Sequence, residues 1–195
     1  MGVLVVGSGG FAMACVDVLE SSGLEVSGPV EPDGELDRSA IDGADVFVAV
    51  MDNRARQMLS HEVTALGGRL VAALSQRAVV SPSAQIGAGA VLMPGAVVNA
   101  GASIGEGAIV NTNAAVDSEV SVGAFAHVAV GASLAGSVTV GDGALIGVGA
   151  SVTPGRTIGT WSTVGAGSAV VRDVAAGATV AGVPAKTTYG SALLR

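Results

Sequence analysis

The sequence predicts a small α/β domain followed by a triangular coil of short parallel strands. Half of the 195 residues are hydrophobic while only 3% are aromatic, and 30 are glycine. A core of small and β-branched side chains is typical of thin, repetitive β-structure. From Val80 onward aliphatic residues recur at every sixth position. We therefore predict one domain over residues 1–78 and a second over residues 79–195.

The first domain shows strands alternating with helices, which indicates a small parallel sheet. Apolar runs predict strands over residues 3–6, 24–30, 45–51 and 69–74. Helical spacing predicts a helix that ends near Ser22 and another over residues 54–66. The first strand ends in the glycine-rich turn Gly7-Ser8-Gly9.

The second domain carries sixteen hexads in phase. A period of six fits neither a flat strand nor a helix, but it fits a short strand and a turn repeated on three sides of a prism. The aliphatic residue points inward, and in most hexads a small residue follows four positions later. A glycine often follows the aliphatic directly, and we expect it to relieve the turn. The aliphatic positions are Val80, Ile86, Leu92, Val98, Ile104, Val110, Val116, Val122, Val128, Leu134, Val140, Ile146, Val152, Ile158, Val164 and Val170.

Composition and charge exclude several classes of protein. No apolar run approaches the ~18 residues of a membrane span, so we expect no membrane association. The net charge of −7 disfavours nucleic acid as a partner. Cys15 is the only cysteine, which excludes a disulfide framework and fits a cytoplasmic location.

The hexads resemble those of the hexapeptide-repeat acyltransferases, whose β-helix is left-handed. Ser81-Pro82-Ser83-Ala84 enters the repeats and Gly182-Val183-Pro184-Ala185-Lys186 closes them. With the preceding α/β domain, this order is similar to that of the bacterial nucleotide-sugar N-acetyltransferases of the bacillosamine and sialic-acid pathways. The stretches that match the surroundings of that family's active site are Asn111-Thr112, residues 123–128, residues 130–132 and Ala135-Gly136.

The resemblance implies acetyl-CoA-dependent acylation of an amino group on a sugar or nucleotide-linked sugar, by a homotrimer with active sites between neighbouring prisms. It implies that His127 contacts the acyl donor or the acceptor, and that the N–H of Gly136 faces the thioester carbonyl. Asn111 would line the acceptor pocket. The residues implied for CoA are Ala135, Gly136, Gly182, Pro184 and Lys186.

One departure from the family concerns the general base. The family carries a His-Glu pair where this chain has Ser118 and Glu119. Serine has no proton affinity near neutral pH and cannot replace imidazole as a base. Three alternatives remain open: the amine attacks as a free base, His127 or Glu119 takes its proton, or the chain no longer performs the family reaction.

The α/β domain departs from the family as well. Gly7-x-Gly9-x-x-Ala12 fits a dinucleotide fingerprint with Glu31 or Asp33 about twenty residues on, but the domain is too short for a full dinucleotide fold. In the family this turn holds the nucleotide-sugar and carries a histidine where Phe11 stands here, and the family's acidic pair becomes Glu31-Pro32. Asn53 and Arg56 match its acceptor-binding stretch. The residues implied for the acceptor are Asn111, Gly7, Ser8, Gly9, Phe11, Glu31, Asn53 and Arg56.

The two histidines limit the competing chemistry. His61 lies in a predicted helix among polar neighbours, and we expect it at the surface. His127 precedes an aliphatic position, so we expect it to point outward from the prism. One histidine in the repeats cannot supply the ligands of a zinc carbonic anhydrase with this fold, and we expect no catalytic metal. The other functions left open are a reaction on a non-sugar acceptor, a catalytically silent ligand-binding protein and, more distantly, an NAD-linked activity.

Overall fold

The computed structural model describes residues 2–31 and 36–188. The α/β domain contains a parallel sheet of four strands in the order β2-β1-β3-β4. Its elements are β1 (Val3–Val6), α1 (Gly9–Ser21), β2 (Val26–Val30), α2 (Arg38–Ile41), β3 (Asp45–Val48), α3 (Asn53–Ala65) and β4 (Arg69–Leu70). None of the helices in the described ranges is long and apolar enough to cross a membrane.

The strand predicted over residues 69–74 is divided between the two domains. Arg69–Leu70 pairs with β3, whereas Ala73–Leu74 pairs with Val91–Leu92 in the repeats. The β-helix therefore begins at Ala73, and the boundary predicted at residue 79 is too late. The error arises because an apolar run looks the same on either side of a domain boundary. The short helix α2 was also not predicted.

The repeats form a β-helix with three parallel faces, as the period of six predicts. The first face contains Ala73–Leu74, Val91–Leu92, Ile109–Val110, His127–Val128, Leu145–Ile146, Thr163–Val164, Thr179–Ala181 and the antiparallel Lys186–Thr187. The second face contains Val79–Val80, Val97–Val98, Ala115–Val116, Ser133–Leu134, Ser151–Val152 and Ala169–Val170. The third face contains Gln85–Ile86, Ser103–Ile104, Ser121–Val122, Thr139–Val140 and Thr157–Ile158.

The interior of the prism is filled as the hexads predict. Each aliphatic of the repeat is the second residue of its strand and points inward, and from Leu92 to Val170 all are buried. The alanines beside them from Ala90 to Ala150 are completely buried. Apolar burial contributes roughly 25 cal/mol per Å², and this continuous column is the main stabilising feature of the domain.

The glycines that follow the aliphatics have a different function from the predicted one. A Cβ on Gly105 would lie 2.5 Å from the backbone nitrogen of Ala124 in the next coil, so the close approach of stacked coils excludes a side chain there. The left-handed backbone of the turn lies two residues later. That position is glycine at Gly143 (φ 65°) but a side-chain residue at Phe125 (φ 56°) and Trp161 (φ 54°).

These turn positions stack into a ladder between the third and first faces, which we call the aromatic corner: Gly89, Gly107, Phe125, Gly143 and Trp161. Each aromatic ring lies against the glycine of the preceding coil. A Cβ on Gly107 would overlap the ring of Phe125, and one on Gly143 would overlap the ring of Trp161. The alternation thus makes room for two large rings in a repeat of otherwise small residues.

The α/β domain docks on the first face and on the aromatic corner. Helix α1 packs Ala12, Cys15 and Leu19 into one cluster with Val91 and Ile109 of the first face. Helix α3 lies along the aromatic corner, where the ring of His61 meets Phe125 edge to face at 5.7 Å. His61 is exposed, as predicted, but it also contributes to this contact.

Arg56 fastens α3 to the repeats from a position that is only 1% exposed. Its Nε donates to the carbonyl of Gly107 (2.7 Å). One terminal nitrogen donates to the carbonyls of Val50 (2.8 Å) and Met51 (2.9 Å). The other donates to Asn53 Oδ1 and to the carbonyl of Phe125 (both 2.8 Å). These five bonds use every N–H of the guanidinium. Arg56 therefore joins two turns of the β-helix to the end of β3.

Replacing Arg56 should destabilise the whole chain. The change Arg56→Ala leaves several buried carbonyls without a donor, and we expect a loss of about 3 kcal/mol or more in the free energy of unfolding. Arg56→Lys should recover only part of it, because an ammonium has three donors and no planar fork. Urea denaturation measures both changes.

The matched control is Arg69→Ala, which removes an exposed ion pair with Asp45 (2.9 Å). Such pairs contribute only about 0–1 kcal/mol. If Arg56→Ala were no more destabilising than this control, the role that we assign to Arg56 would be wrong.

Candidate functional site

A cleft of about 570 Å³ opens between the start of α3 and the first face, and we call it the His127 cleft. Residues Met51–Arg54 form one wall. The other is formed by His127, Leu145 and Thr163, which are outward residues of successive first-face strands, and by Trp161. The volume is in the usual range for small-molecule sites.

His127 forms a buried pair with Asn111 inside this cleft. The backbone N–H of Thr112 donates to Asn111 Oδ1 (2.8 Å), which fixes the orientation of the amide. The amide nitrogen of Asn111 then faces His127 Nε2 at 3.1 Å and must donate to it. The imidazole proton is therefore on Nδ1. That nitrogen makes no hydrogen bond within the described ranges and is not fully shielded from solvent, so it is a free donor in the cleft.

His127 is neutral at physiological pH. Burial, and then the charge of Arg56, lower the pKa of His127 to about 4. The side chain points outward from the prism as predicted, but the α/β domain covers it and leaves it 4% exposed. The hexads predict the outward direction of His127 but not its burial, because a second domain lies over this face.

The glycine-rich turn lies where β1 and β3 end side by side. Gly7 approaches Ala49 so closely that a Cβ would lie 2.4 Å from its carbonyl oxygen. Ser8 is exposed and its side chain does not cap α1, so the first N–H groups of the helix are left without a side-chain acceptor. Gly9 is exposed beside it, and Glu31 is exposed directly after β2. Asp33, the alternative to Glu31, lies outside the described residues.

Three predicted acceptor residues have structural contacts instead of open positions. All five donors of Arg56 are bonded within the protein, so its guanidinium has no N–H group left for an acceptor. Asn53 accepts from Arg56 and donates to the carbonyl of Gly143 (3.1 Å), so it belongs to the same domain junction. Phe11 is half-buried against the α1 cluster.

Ser118, Glu119 and Gly136 lie at the corner between the second and third faces. The hydroxyl of Ser118 donates to Asp117 Oδ1 (3.2 Å), which also accepts from Asn99 Nδ2 (2.9 Å). Hydrogen bonds from Asn99, from Ser118 and, less strongly, from the N–H of Gly136 hold the pKa of the Asp117 carboxyl below its usual value. Glu119 instead accepts from Ser137 Oγ (3.2 Å) of the next coil.

The predicted catalytic residues are not brought together within one chain. His127 lies on the first face, whereas Ser118, Glu119 and Gly136 lie at the corner opposite that face of the triangle. A Glu119–His127 contact inside one prism is therefore excluded by the fold.

A groove of about 540 Å³ runs along the second face from Asp117 past Ala135 and Thr153 to Ala169, and we call it the second-face groove. At its far end the N–H of Ala185 donates to the carbonyl of Ala169 (2.8 Å). The segment Gly182–Lys186, with the exposed Lys186, thus closes the groove. Across the three strand spacings from Asp117 to Ala169 the groove is roughly 14 Å long.

Sequence analysis missed two residues of these sites. Arg54 lies over the ring of Trp161 at 4.3 Å and lines the His127 cleft, whereas only Trp161 was noticeable as a bulky residue in the hexads. Arg172 lies beside Lys186 at the closing segment. Among residues 2–31 and 36–188, no three histidine, cysteine, aspartate or glutamate side chains are grouped to hold a metal.

The β-helix, its covering α/β domain and the two surface sites define an acyltransferase of the hexapeptide-repeat type. No protein-family model matches the chain, and no curated protein sequence does. Solved structures do match. PerB from Caulobacter crescentus, in complex with CoA and GDP-perosamine, is 40% identical, with a TM-score of 0.92, and the match covers 97% of this chain and 98% of that one.

The acetyltransferase domain of PglB from Neisseria gonorrhoeae, in complex with acetyl coenzyme A, is 35% identical over 95% of this chain and 98% of that one, with a TM-score of 0.88. WeeI from Acinetobacter baumannii shares the fold at 24% identity over 96% of this chain and all of that one, with a TM-score of 0.86. The chain belongs to the hexapeptide-repeat sugar N-acetyltransferases. It is an acetyltransferase of that family, and the prediction of a left-handed β-helix is confirmed.

The protonation of His127 can be tested directly. Because only two histidines are present, His61→Gln leaves the signals of His127 alone in an NMR spectrum. We expect the imidazole to titrate with a pKa of about 4 and to carry its proton on Nδ1 when neutral. In the further variant Asn111→Ala the preference for this tautomer should weaken. A titration near the ordinary value of 6.5, or a proton on Nε2, would contradict the assignment.

The same shift predicts the pH dependence of stability. The unfolded chain binds the proton more readily than the folded protein between pH 6.5 and pH 4. Stability should therefore fall as the pH falls through this window, by up to about 3 kcal/mol.

Proposed function

We propose that this chain transfers the acetyl group of acetyl-CoA to an amino group of a nucleotide-linked sugar. The likeness to PerB, along nearly the whole of both chains, is the observation that carries this proposal. The proposal includes a cytoplasmic location, which the lone buried Cys15 supports.

The α/β domain is the proposed binding site of the nucleotide. In sheets with the order β2-β1-β3, ligands bind outside the carboxyl ends of the strands at the point between β1 and β3 where the strand order reverses. Here that point is formed by Gly7, Ser8 and Gly9 on one side and by Met51 and Asp52 on the other. A nucleotide at this edge would direct its sugar into the adjoining His127 cleft, with Asn111 beneath it.

The second-face groove is the proposed binding site of CoA. It is long and narrow, as an extended pantetheine arm requires, and its lining is mostly small residues such as Ala135 and Ser151. Gly136 adjoins the groove beside Ala135, and the closing segment with Gly182, Pro184 and Lys186 lies at its Ala169 end. Lys186 and Arg172 would meet the phosphates, and Gly136 would meet the thioester.

The two proposed sites lie on different sides of one prism, so a second copy must complete the active site. In this arrangement the Gly136 corner of one chain approaches the His127 cleft of its neighbour. Closed threefold symmetry would repeat this contact three times, so that the cleft and the groove of every chain would each meet a neighbour. A homotrimer is therefore part of the proposal.

The proposed reaction is direct attack of the amine on the thioester carbonyl. A C–N bond forms, the C–S bond breaks, CoA leaves as a thiolate, and the proton of the amine passes to solvent. His127 donates from Nδ1 and cannot accept the proton, because Asn111 already occupies Nε2. Ser118 also offers no base. In the proposed mechanism the amine arrives deprotonated, and the N–H of Gly136 stabilises the developing oxyanion.

Subunit mixing tests the shared site. His127→Ala should disable the cleft and Ala135→Trp should fill the groove, so each variant alone should be inactive with acetyl-CoA and GDP-perosamine. Trimers reassembled from both should regain about a quarter of the wild-type activity, because that share of junctions combines two unaltered sites. Absence of recovery in verified mixed trimers would contradict a site formed by two chains, and an inactive wild type would contradict the choice of acceptor.

Restoring the base tests the mechanism. The rate of the wild type should rise with pH until the amine is deprotonated. In Ser118→His we expect a gain of ~10²-fold in kcat/KM near neutral pH, since a positioned base typically contributes 10²–10⁴-fold. Ser118→Ala is the control and should change little. A large loss in Ser118→Ala would show that the hydroxyl itself takes part.

A further inference from the structure

Arg54 and Trp161 form a cationic wall of the His127 cleft. The guanidinium of Arg54 lies over the indole at 4.3 Å, and both residues line the cleft. The indole in turn lies against Gly143, where a Cβ would overlap its ring. This packing gives the side chain of Arg54 a support that an exposed arginine usually lacks.

The two arginines of the first turn of α3 have opposite environments. Arg56 is buried and all five of its N–H groups are bonded within the protein. Arg54 is exposed, and among the described residues none of its N–H groups has a hydrogen bond or an ion pair. The supported guanidinium therefore has its whole set of donors available to a ligand.

The charge balance of the cleft leaves Arg54 uncompensated. The other charged group in the cleft wall is Asp52, whose carboxylate accepts from the backbone N–H of Ala55 (2.8 Å). The negative charge of Asp52 also stabilises the buried positive charge of Arg56. His127 is neutral. Beyond the opposite charges of Asp52 and Arg56, the positive charge of Arg54 therefore remains.

We propose that Arg54, held on Trp161, binds the diphosphate of the nucleotide-linked acceptor and thereby selects acceptors that carry it. The inference rests on the proposed function and adds a specificity residue to it. A planar fork of donors matches phosphate oxygens in pairs. The cleft adjoins the carboxyl end of β3, so a diphosphate at Arg54 would leave the sugar between it and His127.

CoA also contains a diphosphate, but its position differs. The proposed CoA groove lies on the second face, whereas Arg54 lies beside the first face and at the α/β domain. The geometry therefore favours the nucleotide as the source of the phosphates. An amino sugar without a nucleotide should react poorly, because Arg54 then has no partner.

The single tryptophan of the sequence makes binding directly measurable. Fluorescence of Trp161 should change when GDP or UDP binds to the intact protein, and calorimetry gives the affinities. In Arg54→Gln we expect both GDP and UDP to bind ~10–100-fold more weakly. The factor should be the same for the two nucleotides, since the contact is to phosphate and not to the base. Affinity for CoA should be unchanged. Arg69→Gln, which alters a distant exposed arginine, should leave all three affinities unchanged.

A second pair of variants separates the role of Trp161 in supporting the guanidinium from the contact that Arg54 makes with phosphate. Trp161→Phe keeps a ring beneath the guanidinium and should retain most of the affinity for GDP by calorimetry, whereas Trp161→Leu should lose much of it. Steady-state kinetics should show a raised KM for the acceptor in Arg54→Gln with the KM for acetyl-CoA unaltered.

The outcomes distinguish this inference from the function on which it rests. Equal affinity for GDP in wild type and Arg54→Gln would overturn the inference and leave the function standing. Weaker binding of CoA with unchanged GDP binding would assign Arg54 to the acyl donor and overturn it too. If the wild type bound CoA but neither GDP nor UDP, both the inference and the nucleotide-linked acceptor would fall.

Discussion

The buried guanidinium of Arg56 determines where the α/β domain rests on the β-helix. It brings carbonyls of two stacked turns, Gly107 and Phe125, into contact with the end of β3 through one rigid fork. Burial lowers the pKa of Arg56 to about 10, and the nearby charge of Asp52 opposes that shift. The group therefore stays charged at neutral pH. A charge without a directly bonded carboxylate is costly to bury, and only a complete set of carbonyl acceptors makes this one tolerable.

The same cation shapes the chemistry of the cleft. Its field adds to burial in keeping His127 neutral, and Asn111 orients that neutral ring so that it donates. A charged imidazole at this position would compete with Arg54 for the phosphate that we propose Arg54 binds. A neutral imidazole can instead donate to a carbonyl oxygen. The contact that joins the domains thus also contributes, after burial, to keeping the imidazole of His127 neutral.

The sequence predicts the repeats almost completely because the same local environment recurs in sixteen successive hexads. Contacts that occur once are not predictable in this way. The hydrogen bonds of Arg56 and the burial of His127 depend on the α/β domain, whose placement is not periodic. The start of the β-helix at Ala73 was missed for the same reason. Gly105 was identified as a turn residue because the sequence does not distinguish a left-handed backbone from a close approach between coils.

A longer period could have revealed the division between faces. Outward residues on one face recur every eighteen positions, and the three series differ. Ala73, Val91 and Ile109 are apolar and covered. Ser103, Ser121 and Thr139 are polar and half-buried or exposed, and Ala115, Ser133 and Ser151 line a groove. The covered series changes to His127 just where the α/β domain gives way to the cleft. The outward residues thus differ in environment from one face to the next. Because the reaction that we propose uses two of these faces, it needs two chains.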